Sequence, residues 1–600
     1  MSDTSSDDEE SGSRAPAGHE ILDLMMPMFS GVKDEFGKNL VPPLPLSVDR
    51  VFEGRRPASN ARLIQLPFEI LAQIIQAVPM SSISRFALVN SDCRQLARSR
   101  QFASLHFDYS DRSLEIIEHL TKESGERLSQ GGFTKKSALG PCIRRITVAT
   151  HPGWVTRRHN VELSETFNAL PKEVRSERMV AACNAYFGSY VASIQLLLAD
   201  RTVLPHLELL DWEDNVSLQQ SFFDAIVNST IQHLKIYRAS IDKLFTISPP
   251  QTQPSRIWPL RSFHLELTPA LTTAFNLNVS RLCTSLLHLC APTLESLTWD
   301  DCLGRSVRTN GNGLTPRFPS LRHLRISQLN FKDDALLREL VHDELISLDC
   351  DTCLNPVLSS FLKNRGHIPA LKTLIWAVRE GSHDITSSLV LLKANPQISK
   401  LMTSWSVQSE LLDYQVLPLL TRSFSTLTSL SLVWKDPKIA LHALEMISQI
   451  KTLEQLHLSA GCQVGWRFDW LINHEITLNH LSALPLLKKL AFSRDSYDNG
   501  LGGDCDRYYE TGVLRLANLM RGDWTREMFE KGHRERIVAI AAEYVEKMPR
   551  LEWLYFGQIP MDVRWCTETK RRIPQALVTE RDDCWTMLRE MFGWKGILPS

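Results

Sequence analysis

Several features are absent from this sequence of 600 residues, and each absence removes a class of protein. No window offers 18 uncharged apolar residues, so no transmembrane helix is expected. Charge of one sign is not in excess: 67 Lys and Arg stand against 68 Asp and Glu. A general nucleic-acid binder would need a basic surface, so none is expected. The first 20 residues are acidic and polar, the opposite of a secretory signal. Twelve cysteines are scattered without zinc-type pairing, which predicts free thiols in a reducing compartment, the cytosol or nucleus. The eighteen histidines form no ligand-spaced cluster. G-x-G-x-x-G, the P-loop, G-x-S-x-G and H-E-x-x-H do not occur. The expectation is a non-enzymatic protein without cofactor or metal.

Hydrophobic content of 43% and charge content of 22% are those of a soluble globular chain. Its length exceeds one ordinary core and predicts several domains or an elongated repeat architecture. The opening run SDTSSDDEESGSR cannot bury enough surface to fold, and Pro42-Pro43-Leu44-Pro45 favours an extended linker, so 1–60 is expected to be a disordered tail.

The stretch from Leu66 to Phe107 has the densest local pattern. From Pro67, tolerated at a first helical position, apolar residues fall at Ile70, Leu71, Ile74, Ile75 and Val78, one stripe of a helix that Pro79 stops. Ser81 or Ser82 is expected to cap a second helix carrying Ile83, Phe86 and Ala87. A third is expected over 92–100, with Cys93, Leu96 and Ala97 on one face, and then Phe102, Leu105 and Phe107 alternate as in a strand. So small a unit buries little by itself, and pattern alone leaves a docking module and a helical cap equally open.

The residues Leu66-Pro67, Glu69-Ile70-Leu71, Ile74, Phe86-Ala87-Leu88-Val89-Asn90, Arg94, Leu96-Ala97 and Ala103-Ser104-Leu105 resemble an F-box, in a variant common in fungal proteins. The resemblance implies a trihelical module that docks on the Skp-type adaptor of a cullin–RING (SCF-type) ubiquitin ligase. Leu66, Pro67, Ile70, Leu71, Ile74, Phe86, Leu88 and Val89 fall on the family's apolar positions, which the resemblance divides between adaptor contact and internal packing. Many F-boxes carry tryptophan where this chain has Cys93. That departure keeps a second reading open, an interaction scaffold whose F-box is vestigial or independent of a ligase. The phrases MPRLEWLYFGQ (548–558) and DCWTMLREMFGW (583–594) also resemble the tail of fungal F-box proteins.

Downstream, a motif of apolar, two residues, apolar, one residue, apolar recurs from Ile143-Ile146-Val148 and Leu207-Leu210-Trp212 through to Leu551-Leu554-Phe556. Ile398-Leu401-Thr403 is a degenerate copy. Between Leu207 and Leu487 neighbouring copies are 24 to 34 residues apart, at or above the ~20–29 residue period of leucine-rich repeats. No such unit buries its apolar face alone, so stacking into a solenoid is expected. Asn215, Cys302 and Cys353 take the motif's Asn/Cys position, which explains Cys350-x-x-Cys353 better than a metal site does. Asp504-Cys505-Asp506 lacks the spaced oxygens of a calcium loop.

The expected fold is therefore α/β: a tail over 1–60, a small trihelical module over 61–107, a helix and linker over 108–142, an irregular leucine-rich-repeat solenoid over 143–578 with insertions near 149–203 and 495–547, and a C-terminal cap over 579–600. Helices are expected at 180–198, 524–547 and 579–594. Partners would be the Skp-type adaptor and cullin at one end and an unknown protein substrate on the solenoid's concave strand face. Residues expected to be exposed between the core positions there are Glu208, Asp211, Glu295, Thr298, Asp300, Arg322, Arg325, Lys372, Lys488 and Trp553. Their mixed charges name no target.

Overall fold

A computed structural model describes residues 51–53, 58–129, 138–150, 152–161, 169–214, 218–239, 247–249, 257–267, 280–301, 306–307, 315–327, 329–351, 356–377, 385–403, 406–461, 463–464, 467–468, 470–496, 526–557, 559–577 and 591–593. Asn215, Cys302, Cys353, Asp504-Cys505-Asp506, nearly all of the expected tail and most of the expected C-terminal helix lie outside the described residues. The chain forms two compact units, one running to Thr293 and one from Leu294.

The first unit opens with three short helices, α1 (Phe68–Ala77), α2 (Met80–Phe86) and α3 (Ser91–Gln101). Strand β1 (Ser104–Phe107) and helix α4 (Asp111–Ser129) follow, then the parallel strands β2 (Arg145–Val148), β3 (Leu209–Trp212), β4 (His233–Ala239) and β5 (Ser262–Leu267). Register aligns the middle apolar residue of each motif: Leu105 pairs with Ile146, Ile146 with Leu210, Leu210 with Leu234 and Leu234 with Phe263. The parallel sheet thus begins at Ser104, ahead of Ile143. The expected helix over 180–198 is longer, continuing through Lys172–Cys183, a π-helical stretch Asn184–Val191 and Ala192–Ala199. The π-helical stretch brings Tyr186 and Tyr190 edge-on to Tyr109, at 5.5 and 4.8 Å between ring centres.

In the second unit the parallel strands are β6 (Ser296–Asp301), β7 (His323–Ser327), β8 (Ser347–Asp351), β9 (Thr373–Ala377), β10 (Lys400–Thr403), β11 (Ser429–Val433), β12 (Gln455–Ser459), β13 (Lys489–Ser493) and β14 (Trp553–Phe556). Leu297, Leu324, Leu348, Leu374, Leu401, Leu430, Leu456, Leu490 and Leu554 form one continuous ladder, each paired with the next. Every one is buried. Helices such as Pro356–Arg365, Ile385–Ala394 and Leu441–Gln449 return the chain between strands and cover the leucine side. Parallel strands need crossovers of this kind, and only stacking gives each unit a closed core. Leu401 of the degenerate copy is in full register. These strands and their motif are a leucine-rich-repeat arrangement.

Each step between strands is made alike. The carbonyl of the residue ahead of one strand accepts two successive amides of the next: Glu295 from Arg322 (2.8 Å) and His323 (3.1 Å), and Lys488 from Glu552 (2.7 Å) and Trp553 (3.2 Å). Four residues standing just before the motif also tie neighbouring repeats. Thr230, Thr293 and Thr452 donate Oγ1 to the carbonyls of Leu207 (2.7 Å), Leu260 (2.8 Å) and Leu427 (2.6 Å), and the Gln397 amide donates to Ile368 at 2.7 Å.

The strand series of the second unit ends in an antiparallel hairpin, β15 (Ile559–Cys566) and β16 (Arg571–Ala576), with β15 paired to β14. The sequence pattern does not anticipate it. Of the expected cap over 579–600, the described residues Met591, Phe592 and Gly593 lie elsewhere, on the strand face described below.

Candidate functional site

The three-helix module is built by local signals and then pinned. Pro67 precedes α1, whose last carbonyls would face solvent unpaired. The Arg100 guanidinium donates instead to the Ile75 carbonyl (2.6 Å) and to that of Val78. Helix α2 starts directly behind Pro79, so Ser81 and Ser82 lie inside it and the expected serine cap is not made. Helix α3 is capped by Asn90, whose Oδ1 accepts from the Cys93 amide at 2.7 Å. Leu71, Ala72, Ile75, Ile83, Cys93, Leu96 and Ala97 form a core with Phe52 and Ile64. Buried polar groups attach this core to the rest of its unit. The Gln95 amide donates to the Val51 and Ala138 carbonyls at 3.2 and 2.9 Å. Glu123 accepts the amides of Leu139 and Gly140 at 2.9 and 3.2 Å.

The apolar residues left outside that core define the first candidate surface. Leu88 and Val89, in the turn between α2 and α3, are 78% and 68% exposed. Ile70, Leu66, Pro67 and Met80 are exposed as well. Ile70 and Ile74 lie one turn apart on α1, with Ile74 half-buried. Of the eight residues singled out in the sequence, Leu66, Pro67, Ile70, Leu88 and Val89 face solvent, Ile74 and Phe86 are half-buried, and Leu71, at 1% exposed, belongs to the module's own core. Cys93 also lies in that core and not on the exposed surface.

The second candidate surface is the strand face turned away from the leucine ladders. Here three expectations are corrected. Asp211 is fully buried, because Arg145 on β2 and Lys235, its direct partner on β4, bring their cations to 3.1 and 3.9 Å of its carboxylate. Trp553 is 2% exposed, because Phe592 lies against it. Thr298 is buried too. The other residues expected on this face, most of them just ahead of the strands, fare differently. Lys372 is exposed, while Glu208, Glu295, Asp300, Arg322, Arg325 and Lys488 are half-buried. Arg322, Arg325 and Lys488 are paired with Glu344 (3.0 Å), Asp349 (3.5 Å) and Glu454 (2.8 Å). In the second unit this face also carries His457, held between the hydroxyls of Ser431 (2.7 Å) and Ser493 (2.8 Å). Burial keeps that imidazole neutral, pushing its pKa down to about 3.

Met591, Phe592 and Gly593 were missed as contributors to this face. Phe592 is fully buried among Ile375, Met402, Ala491, Trp553 and Tyr555, with its ring edge-on to Trp553 at 6.2 Å. The Lys400 ammonium donates to the carbonyls of Phe592 (3.2 Å) and Gly593 (3.3 Å), and the Lys489 ammonium donates to that of Met591. Burial lowers the pKa of Lys400, and Lys489 nearby lowers it further. The alternation of strand residues carries the signal for this surface: Ile375, Met402, Ala491 and Tyr555 occupy the position between the two inner core residues of their motifs, where an apolar side chain has no leucine core to enter.

No protein-family model and no curated protein matches the chain. Among solved structures, an internalin (inlF) from Listeria monocytogenes is similar at 15% identity, over 51% of this chain and 71% of that one, with a TM-score of 0.23. A TLR13–ssRNA13 complex is similar at 14% identity, over 50% of this chain and 57% of that one, with a TM-score of 0.22. Among the described residues, no helix is long and apolar enough to cross a membrane.

Proposed function

We propose that this chain is the substrate-recognition subunit of an SCF-type ubiquitin ligase, docking on a Skp-type adaptor through the three-helix module and holding a protein target on the repeats. The observation that carries the reading is the exposure of Leu88, Val89, Met80, Ile70 and Leu66 on a module that has a packed core of its own. Large exposed apolar side chains gathered on a small unit mark a partner surface. Two features support it. Cys93 sits in the core, so its place instead of tryptophan alters packing and leaves the exposed side chains intact. Buried polar pins attach the module to the first unit, so an adaptor bound there holds a fixed orientation to the first repeats. Such a protein supplies effective concentration and no catalytic group.

The test is a pull-down of the full chain with a Skp-type adaptor and cullin, beside a Leu66→Ala/Pro67→Ala variant. Adaptor and cullin captured by the wild type and lost in the variant is the expected outcome. A folded wild type that captures neither overturns the ligase reading and leaves a repeat scaffold.

A further inference from the structure

The contact made by Met591, Phe592 and Gly593 is chemically unlike the packing that closes the repeats. The leucine ladders and the returning helices already complete the core of the second unit, and none of that requires the opposite strand face. On that face four strands nevertheless present apolar side chains at equivalent positions: Ile375 on β9, Met402 on β10, Ala491 on β13 and Tyr555 on β14. Trp553 forms a wall beside Tyr555, the two rings stacked at 6.1 Å. Lys400 and Lys489 add two ammonium groups from strands that are not neighbours, β10 and β13. Two cations held partly out of water repel one another, and here their donors converge on one run of three carbonyls. Carbonyls at the end of a helical turn carry partial negative charge, which is what such a pair attracts. Met591 and Phe592 are helical, and Gly593 leaves the turn at φ +65°, a conformation natural to glycine. The arrangement therefore has two specificity elements, an aromatic slot and a cationic clamp on a chain end or turn end.

We propose that this slot is a peptide-recognition site, for a segment presenting an aromatic side chain followed by helix-end carbonyls or a carboxylate, and that Met591–Gly593 occupies it as a competitor within the same chain. The inference deepens the reading of the repeats as a target-binding platform and rests on it. A tethered occupant acts at an effective concentration on the order of millimolar. A target must exceed that, or the segment must first be drawn away.

The experiment uses the full-length protein and a fluorescent peptide of residues 583–597, DCWTMLREMFGWKGI, read by anisotropy. Wild type, with its slot filled in cis, binds the peptide weakly. Phe592→Ala removes the aromatic anchor from the chain and leaves the slot untouched, so its Kd for the peptide falls on the order of ten-fold or more. Gly593→Val provides a second route to an open slot. A branched side chain is strained at φ +65°, and its Cβ would lie 3.1 Å from Lys400 Nζ. It too binds the peptide more tightly than wild type. Adding Lys400→Glu and Lys489→Glu to Phe592→Ala abolishes binding, as does placing alanine at the phenylalanine of the peptide.

Equal binding by wild type and both opened variants overturns the proposal, as does binding that survives the two charge reversals. If both Phe592→Ala and Gly593→Val fail to fold, judged by circular dichroism, the segment is a structural part of the unit and the proposal fails. Adaptor capture tests the ligase reading through Leu66 and Pro67 and does not involve this slot, so the two failures are distinguishable.

Discussion

The guanidinium of Arg127 lies 3.0 Å from the carboxylate of Glu123, and both groups are buried. A second nitrogen of the same guanidinium reaches Glu53 at 2.7 Å, and the other oxygen of Glu123 accepts the amides of Leu139 and Gly140. This network ties the segment ahead of the three-helix module, helix α4 and the turn before β2. Removing one partner of a buried pair leaves an uncompensated charge, which costs on the order of 3–5 kcal/mol. Arg127→Ala is therefore expected to destabilise the first unit strongly, while Lys122→Ala, whose pair with Glu118 is exposed to solvent, changes little. Thermal unfolding of both variants decides the point: equal melting temperatures would mean that the buried pair holds nothing together.

The exposed apolar residues of the module predict a separation of stability from binding. Leu88→Asp and Val89→Asp replace side chains that are mostly in water, and such surface changes fall within about 0.5 kcal/mol. Leu71→Ala opens the module's core and costs on the order of 2–5 kcal/mol. The expected result is full adaptor loss without thermal destabilisation for Leu88→Asp/Val89→Asp, and thermal destabilisation for Leu71→Ala. Adaptor capture retained by a folded Leu88→Asp/Val89→Asp double variant would remove those residues from the docking surface.

The repeats were legible in the sequence because apolar residues two apart face one way along a strand, a third recurs just ahead of it, and register then aligns them from repeat to repeat. Phe102, Leu105 and Phe107 have that same spacing. The strand expected there is present, and it joins the parallel sheet that the sequence pattern starts only at Ile143. The closing hairpin left no such signal. Pro560 and Pro574 argue against strands, and no Asn-Gly or Asp-Gly joins β15 to β16. Proline is tolerable at Pro574 because β16 is the edge strand, and at Pro560 because it stands at the start of β15. On the strand face, alternation assigned Asp211 and Trp553 to the correct side and said nothing of what lies over them. Their burial is decided by Arg145 and Lys235 on neighbouring strands and by Phe592 from far along the chain, contacts between residues distant in sequence.

Gly140 supplies a test of packing that the sequence, reading it as loop, did not foresee. A Cβ placed on it would lie 1.9 Å from the Val203 carbonyl oxygen, a backbone atom that cannot swing aside. Gly140→Ala must therefore push apart the turn before β2 and the segment leading to β3. Overpacking of this kind costs about 1–3 kcal/mol or more. Gly125→Ala is the control, since nothing lies within 4 Å of its added Cβ and α4 gains a better helix former there. A lower melting temperature for Gly140→Ala together with an unchanged or higher one for Gly125→Ala is expected, and the reverse order would refute the contact.

Acid should weaken the second unit before its carboxylates titrate. Burial lowers the pKa of His457 to about 3 and those of His474 and His533 to about 4, all below the ordinary value of 6.5. The folded chain keeps these imidazoles neutral at a pH where the unfolded chain has already bound protons. Their contribution is present above pH 6.5 and is lost progressively as pH falls below it, toward the folded values. Each such histidine removes at most about 1.4 kcal/mol per pH unit across that window, so three together remove several kcal/mol between neutrality and about pH 5. His457→Gln keeps a neutral donor and acceptor near Ser431 and Ser493 without the titration, so its stability should fall less steeply with acid than that of the wild type. Urea unfolding at pH 7.5, 6.5 and 5.5 reads the slope directly. Parallel slopes for the two proteins would show that His457 takes up its proton equally well in the folded chain.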